Sequence, residues 1–284
     1  MIPSNFGYVA PTTVAEAVAA LAEAGEDAKV IAGGQSLMPV LRLRLAAPTT
    51  VVDLGRIDEL RGLREDGTDL VIGAMTTYYD LLRNPLLGKH ALLIAEAIRT
   101  VADPQIRHRG TLGGALAHAD PAGDLCAPAL ALDATLTVAG PSGRRSIPAA
   151  EFFVDYFTTA LQSDEILTEI RIPKHTDWAA RYEKFHRVAQ SWSIVAVAAT
   201  VAIEGGVIQQ ARVALTNMVS VPVRARGVEE ALIGQTANGE LIRAAAEHAA
   251  EGIDPMTDGN ADAAYRSHLA KVLTRRAVAT AVGA

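Results

Sequence analysis

Lys29-Val30-Ile31-Ala32-Gly33-Gly34-Gln35-Ser36-Leu37 is a short apolar strand that runs directly into paired glycines and a hydroxyl. Glycine takes positive φ freely and lets the backbone come close to a neighbour or a ligand. Consecutive N–H groups at such a turn form a concavity suited to a phosphate. Ser36 adds a hydroxyl donor, and Gln35 an amide that donates or accepts. The same glycines can equally shape a plain strand-to-loop turn, so this stretch alone leaves both readings open. Upstream, Thr13-Val14-Ala15-Glu16 reads as a capping box, with Val14, Val18, Leu21 and Ala22 at helical spacing up to Gly25. Downstream, Val51-Val52-Asp53-Leu54 reads as a second strand. Residues 1–55 therefore form a β-α-β-like unit with the glycine pair at a strand exit.

A second segment repeats the pattern. Arg109-Gly110-Thr111-Leu112-Gly113-Gly114-Ala115 again sets glycines beside a hydroxyl, then continues through His118, Asp120, Gly123 and Asp124. A pyrophosphate has several oxygens, and two loops offering N–H groups from opposite sides would satisfy them without a lysine. All of Asp103–Asp124 reads as irregular chain. Asp124 has two compatible readings: acceptor for a ribose hydroxyl, or N-cap of a short buried helix over Leu125–Leu132.

Elsewhere, Leu63, Leu70–Gly73, Thr135–Ala139 and Ile166–Ile172 read as strands, the last stopped by Pro173, with Pro141-Ser142-Gly143 as a turn. Helices are expected near Thr77–Arg83 and Ala91–Ala102. Beyond Lys174 the character changes. Tyr182–Arg187, Ile194–Glu204 and Val207–Thr216 read as three strands, the last two joined at Gly205-Gly206 as a tight hairpin. Helices follow near Arg224–Ile233, Gly239–Glu251 and Ala261–Val282. Strands followed by helices predict a separate α+β domain, with a boundary near residue 175.

Composition narrows the function. The 284 residues are 50% hydrophobic and 20% charged with net charge -6, enough for a buried core and without an electrostatic footprint for nucleic acid. The single cysteine, Cys126, excludes an intrachain disulfide, a CxxC pair or a cysteine-rich cluster made by this chain alone. It fits a reducing, cytoplasmic setting. No export signal is visible, and the longest apolar stretch, Ile194–Ile203, is short of the ~20 residues of a membrane helix. GxGxxG, GxxxxGK[ST] and GxSxG do not occur, so the Rossmann, P-loop and hydrolase-elbow readings have no support. Cys126 sits among Leu125, Ala127, Pro128 and Ala129, the setting of a buried structural thiol. Lys184, in an alternating strand, reads on its own as solvated, and Trp192 as a core residue.

Taken together, Ala32–Leu37 and Asp103-Pro104-Gln105-Ile106-Arg107-His108-Arg109-Gly110-Thr111-Leu112-Gly113-Gly114 closely resemble the FAD-binding medium subunit of the molybdenum hydroxylases, the xanthine dehydrogenase and aerobic carbon monoxide dehydrogenase family. The resemblance extends through Val52-Asp53-Leu54, Val71–Thr76, Glu165-Ile166-Leu167, Tyr182-Glu183-Lys184 and Ala214–Asn217. It implies an α+β chain: a two-subdomain FAD-binding domain of the vanillyl-alcohol-oxidase (PCMH) type over 1–175, divided at about residue 55, then a smaller α+β domain over 176–284 with a three-stranded sheet and helices. It also implies FAD contacts from Val30, Ile31, Ala32, Gly33, Gly34, Gln35, Ser36 and Leu37, and from Thr111, Leu112, Gly113, Gly114, Ala115 and Asp124. Val101, Leu167 and Lys184 match further flavin-contacting positions, and Trp192 falls where relatives place an aromatic beside the isoalloxazine. Within the resemblance, Gln35 replaces a histidine usual in carbon monoxide dehydrogenase subunits, and Ala115 a polar or acidic residue.

The resemblance implies companions too: a large subunit with the molybdenum cofactor, a small subunit with two [2Fe–2S] clusters, a heterohexamer, and an external electron acceptor. No catalytic acid or base and no metal site is expected on this chain. The other reading is a self-contained FAD-dependent oxidase or reductase of the same fold. That reading requires a base near the ring or a covalent flavin-linking His or Cys, for which the sequence offers no clear candidate.

Overall fold

The computed structural model describes residues 2–283. The chain opens with β1 (Gly7–Val9), α1 (Val14–Ala24), β2 (Ala28–Ile31), α2 (Leu37–Arg42) and β3 (Thr50–Asp53). The strands form a parallel sheet in the order β1-β3-β2, with α1 as the crossover before β2. Thr13 caps α1 by accepting from the Glu16 N–H, and the Glu16 carboxylate reaches one residue beyond the cap, to Thr12 N at 2.8 Å. The apolar face of α1 (Val14, Ala17, Val18, Leu21) buries against Val52 and Leu54, and also against Met75 and against Ala139 and Ile166 of the next sheet.

That next sheet is antiparallel, in the order β4-β5-β10-β6-β7. Its first two strands are β4 (Leu63–Asp66) and β5 (Asp69–Gly73). Helices α3 (Tyr78–Arg83), α4 (Pro85–His90), α5 (Leu92–Thr100), α6 (Pro104–Arg109), α7 (Leu112–His118) and α8 (Cys126–Ala131) follow. They precede β6 (Thr135–Gly140), β7 (Gly143–Pro148), α9 (Ala149–Phe152), the two-stranded β8 (Phe153–Asp155) and β9 (Thr158–Thr159), and β10 (Ile166–Pro173). Leu70, Ile72, Leu136, Val138, Ile170 and Ile172 bury beneath Leu93, Ile98, Leu112, Leu116, Ala127 and Leu130.

The expectation of irregular chain over Asp103–Asp124 is corrected by α6 and α7. Asp103 caps α6 through the Ile106 N–H, with Pro104 in the first turn. Thr111 caps α7 through the Gly114 N–H at 3.1 Å. Glycine density reads as loop, yet Gly113 and Gly114 lie inside a helix. A Cβ on Gly113 would sit 2.5–2.7 Å from Ala74 atoms, so packing and not turn geometry requires the glycine there.

The remaining sheet holds β11 (Ala179–Phe185), β12 (Val195–Glu204), β13 (Val207–Thr216) and β14 (Val223–Arg224) in sequence order. The expected three strands are therefore four: a two-residue edge, too short to show any periodicity, pairs Val223 with Leu215 and Arg224 with Ala214. Gly205 and Gly206 both take positive φ, as a two-residue hairpin of type I′ requires. Alternation along β12 sorts the two faces. Val195, Val197, Ala199 and Val201 bury under α10 (Arg226–Leu232), α11 (Gly239–Ala246) and α12 (Ala263–Val282), while Ala196 and Ala198 join Tyr182 and Ala214 in the core of the preceding sheet and its helices. The small alanine face lets α5 and α8 lie directly on the strands, so one apolar core runs through both halves of the chain.

Candidate functional site

The two glycine segments meet. A Cβ on Gly33 would fall 2.1 Å from the Arg109 carbonyl oxygen and 3.0 Å from Gly110 Cα, and one on Gly114 would fall 3.2 Å from Ala32 Cβ. Gly33 is thus glycine because the second segment presses on it, not only because a ligand must approach. Gly34 supplies the backbone reversal, at φ 74°. Val30 and Ile31 end β2, Ala32 leaves the sheet, and Ser36 precedes α2 without capping it. The Gln35 side chain folds back, Nε2 donating to Gly33 O at 3.0 Å. Among the described residues, no acceptor takes the backbone N–H of Gly33, Gly34, Gln35, Ser36 or Leu37, nor that of Thr111. These groups are part-buried or buried, where unpaired N–H groups are rare without a ligand.

The second segment is held rigidly from below. Tyr78 N donates to Gly110 O at 2.9 Å, Leu112 N to Thr76 O at 3.2 Å, and Gly113 N to Ala74 O at 3.0 Å. The Tyr78 ring lies under Gly110, where a Cβ would meet it at 2.8 Å. Burial pushes the Tyr78 hydroxyl far above the ordinary phenol range, with the Asp124 charge adding to it. Non-glycine residues at positive φ bracket the segment, Ala102 at 39° and Ala119 at 49°. Leu112 is fully buried, Ala115 partly so.

Asp124 is buried, and its carboxylate faces the opposite half of the molecule. Oδ1 accepts from Tyr182 OH at 2.9 Å and Ser193 Oγ at 2.8 Å, and Oδ2 lies 2.7 Å from Lys184 Nζ. The expected N-cap role is corrected: α8 follows Leu125 with no side-chain cap, because the Asp124 oxygens are drawn to β11 and the start of β12. Lys184 is corrected as well, from solvated strand lysine to buried partner; both side chains are 3% exposed. Burial and the neighbouring Asp124 carboxylate push the Tyr182 hydroxyl well above its ordinary value. Lys184 also approaches Thr100 O, next to Val101, whose own carbonyl accepts from Arg107 at 2.7 Å. Leu167 lies on β10 at a register shift against β6, its side chain in the core.

Trp192 is 55% exposed on the segment entering β12, so the expectation of a core residue is corrected. Its loop is tied to the second segment by Gln190 Nε2 on Asp103 Oδ2 at 3.0 Å. Tyr182 and Ser193 were not singled out by sequence reasoning. Their role depends on a contact across 58 and 69 residues, which no local pattern signals. Cys126 is buried, and burial holds its thiol far above the ordinary range, as for a structural cysteine. Among the described residues no cluster of His, Cys, Asp or Glu is arranged to hold a metal ion, and no helix is long and apolar enough to cross a membrane.

A run of unpaired N–H groups over Gly33–Leu37, pressed against the second glycine segment, is an arrangement suited to the phosphates of a dinucleotide such as a flavin cofactor. Residues 4–175 match the FAD binding domain in molybdopterin dehydrogenase, and residues 180–281 the CO dehydrogenase flavoprotein C-terminal domain. The chain belongs to this family, as an FAD-carrying medium subunit of the CO dehydrogenase-like molybdenum hydroxylases, and is an oxidoreductase subunit. It is 41% identical to the carbon monoxide dehydrogenase medium chain of Hydrogenophaga pseudoflava over 281 residues, 98% of this chain and 97% of that one. It is 35% identical to the glyceraldehyde dehydrogenase medium chain of Sulfolobus acidocaldarius, over 98% of each chain. Superposition on carbon monoxide dehydrogenase from Hydrogenophaga pseudoflava gives a TM-score of 0.96 at 41% identity, covering 100% of this chain and 99% of that one. The residues present fit FAD: the unpaired N–H groups suit a pyrophosphate, and a side chain at Gly33 or Gly113 would collide with the backbone that builds the cradle.

Proposed function

We propose that this chain is the flavin station of a divided redox enzyme. It takes electrons from [2Fe–2S] clusters on a small subunit, which receives them from a large molybdenum subunit, and passes them to an external acceptor. The complex is a cytoplasmic heterohexamer, in which residues 1–175 hold FAD and residues 176–284 complete the site. When bound, FAD supplies exchange of one electron with a cluster and two with an acceptor.

The chain's own residues bind and orient. Gly33, Gly34, Gln35, Ser36 and Leu37 offer backbone N–H groups to phosphate oxygens, with Val30, Ile31 and Ala32 walling the approach. Thr111, Leu112, Gly113, Gly114 and Ala115 face them, the Thr111 hydroxyl remaining free to donate while its oxygen caps α7. Asp124 and Lys184 form the far wall, with Val101 next in the chain to Thr100, whose carbonyl Lys184 approaches; Leu167 lies in the core on β10, and Trp192 offers an exposed indole. The observation that carries the reading is the contact of the two glycine segments, with the N–H groups of Gly33 to Leu37 and of Thr111 unpaired.

The test is purification of the full chain with its native companions, followed by an absorbance spectrum of each separated subunit and metal analysis. Flavin on this chain, with iron and molybdenum only on the companions, is expected. A chain that is colourless in the complex, or that reduces FAD with an organic substrate unaided, overturns it.

A further inference from the structure

The segment that carries Trp192 into β12 is gripped from behind by side chains far from any glycine segment. Arg266, on the first turn of α12, has no exposed surface at all. Its Nη1 donates to the Ile194 carbonyl and, at 2.8 Å, to the Asn217 carbonyl. Its Nη2 lies 2.7 Å from Asp258 Oδ2, while the other Asp258 oxygen accepts the Asn260 and Ala261 N–H groups at 2.8 and 3.0 Å. Asn217 has left-handed backbone, φ 62°, a conformation asparagine tolerates better than most residues. From there its Nδ2 donates to Ser193 O at 2.7 Å and Ile194 O at 3.3 Å.

Two adjacent carbonyls, Ser193 and Ile194, thus receive both hydrogen bonds of the Asn217 side chain and one from Arg266. Ser193 in turn donates its hydroxyl to Asp124, and Trp192 stands exposed one residue before it. A buried arginine that only tied α12 to the sheet would gain little over an apolar side chain of the same volume. This one instead holds the Ile194 carbonyl directly and also the carbonyl of Asn217, whose side chain holds Ser193.

We propose that Arg266 and Asn217, anchored by Asp258, are positioning residues of the flavin site: they fix the Trp192–Ile194 turn so that Ser193 meets Asp124 and the indole faces the cofactor side. The inference rests on the reading of this junction as the FAD site. The Asp258–Arg266–Asn217 relay thereby joins the C-terminal helix to the buried Asp124–Lys184 pair.

The test uses the full chain with Trp178→Phe, which leaves Trp192 as the one remaining tryptophan. Asn217→Gly keeps the positive φ and removes the amide; Asp258→Asn removes the anchor; Arg266→Met removes the donors and Arg266→Lys returns one. Readouts are acrylamide quenching of Trp192, visible circular dichroism of bound flavin, and FAD titration, with far-UV dichroism to show that each variant is folded. Asn217→Gly and Arg266→Met are expected to change Trp192 quenching, alter the flavin dichroism and weaken FAD about tenfold or more, with Arg266→Lys recovering part. If Arg266→Met does not fold, Asn217→Gly and Asp258→Asn decide. Folded variants whose Trp192 quenching and flavin dichroism equal the parent's overturn the proposal. A parent chain that takes no FAD overturns the flavin reading instead, while the quenching series still decides whether the clamp sets the turn.

Discussion

Gly33→Ala isolates the contact on which the site depends. The new methyl would stand 2.1 Å from the Arg109 carbonyl oxygen and 2.8 Å from its carbon, where ordinary contact begins near 3.4 Å. Both partners are backbone, so no side chain can rotate away, and the two segments must part by more than about 1 Å. Overpacking of this kind costs about 1–3 kcal/mol of stability. The effect on binding is larger, because a site must hold its donors to within about 0.5 Å to use them. Loss of even one hydrogen bond to a charged phosphate is worth about 1.5–3 kcal/mol, or about 10–100-fold in affinity. Gly88→Ala is the matched control: it lies inside α4 with nothing within 4 Å of its Cβ, so alanine should gain up to about 1 kcal/mol of helix preference and leave FAD untouched. Urea unfolding followed by far-UV dichroism, with FAD titration of both variants, measures the pair. A Gly33→Ala chain as stable as the parent and binding FAD within about twofold would refute the argument that the two segments are held in contact by the missing side chain.

Three more outcomes are expected. Asp124→Asn or Lys184→Met should each cost about 3–5 kcal/mol in denaturant unfolding, because each strands a buried group, whereas the double variant should recover a large part; additive losses would show that the pair is not coupled. His118 and His175 are both held below the ordinary imidazole range, chiefly because burial disfavours the charged ring. The unfolded chain then takes the proton more readily, so their contribution is present above pH 6.5 and is lost as pH falls through the folded values. His175→Asn should flatten the slope of unfolding free energy between roughly pH 7 and 5, and an unchanged slope would assign that loss elsewhere. Cys126 should resist thiol reagents in the native chain and react fully in urea; rapid native labelling would contradict its burial.

Most of the longer strands were readable because they obey short-range rules, whereas β1, β7, β8, β9 and β14 were not. Gly205-Gly206 announces a hairpin by its turn chemistry, and Pro173 marks the end of β10. Misreadings arose wherever a distant neighbour overrides the local signal. Gly113 and Gly114 look like loop residues until Ala74 and Ala32 are placed beside them. Asp124 looks like a helix cap until Tyr182, Lys184 and Ser193 arrive from the other end of the chain. Lys184 could not be told from a solvated strand lysine, since alternation says which face it lies on but not what covers that face. Trp192 erred the other way: its apolar bulk suggested a core, and its place on an exposed turn suggests a surface role. The glycine segments were found because their residue types are needed whatever surrounds them, although at Gly33 the need proved to be for each other.

The alanine face of β12 and β13 has a consequence for the order of events in synthesis. Ribosomes deliver Gly33 and Gly114 first, but the donors to Asp124 come from Tyr182, Lys184 and Ser193, and the grip on the Ser193 carbonyl comes from Asn217. Until β11, β12 and β13 have emerged, α8 has no strand to lie on and Asp124 no partner. At about 5–20 residues per second, the glycine segments are made roughly 4–16 seconds before the far wall is. Completion of the site thereby falls to strands made well after the glycine segments that open it.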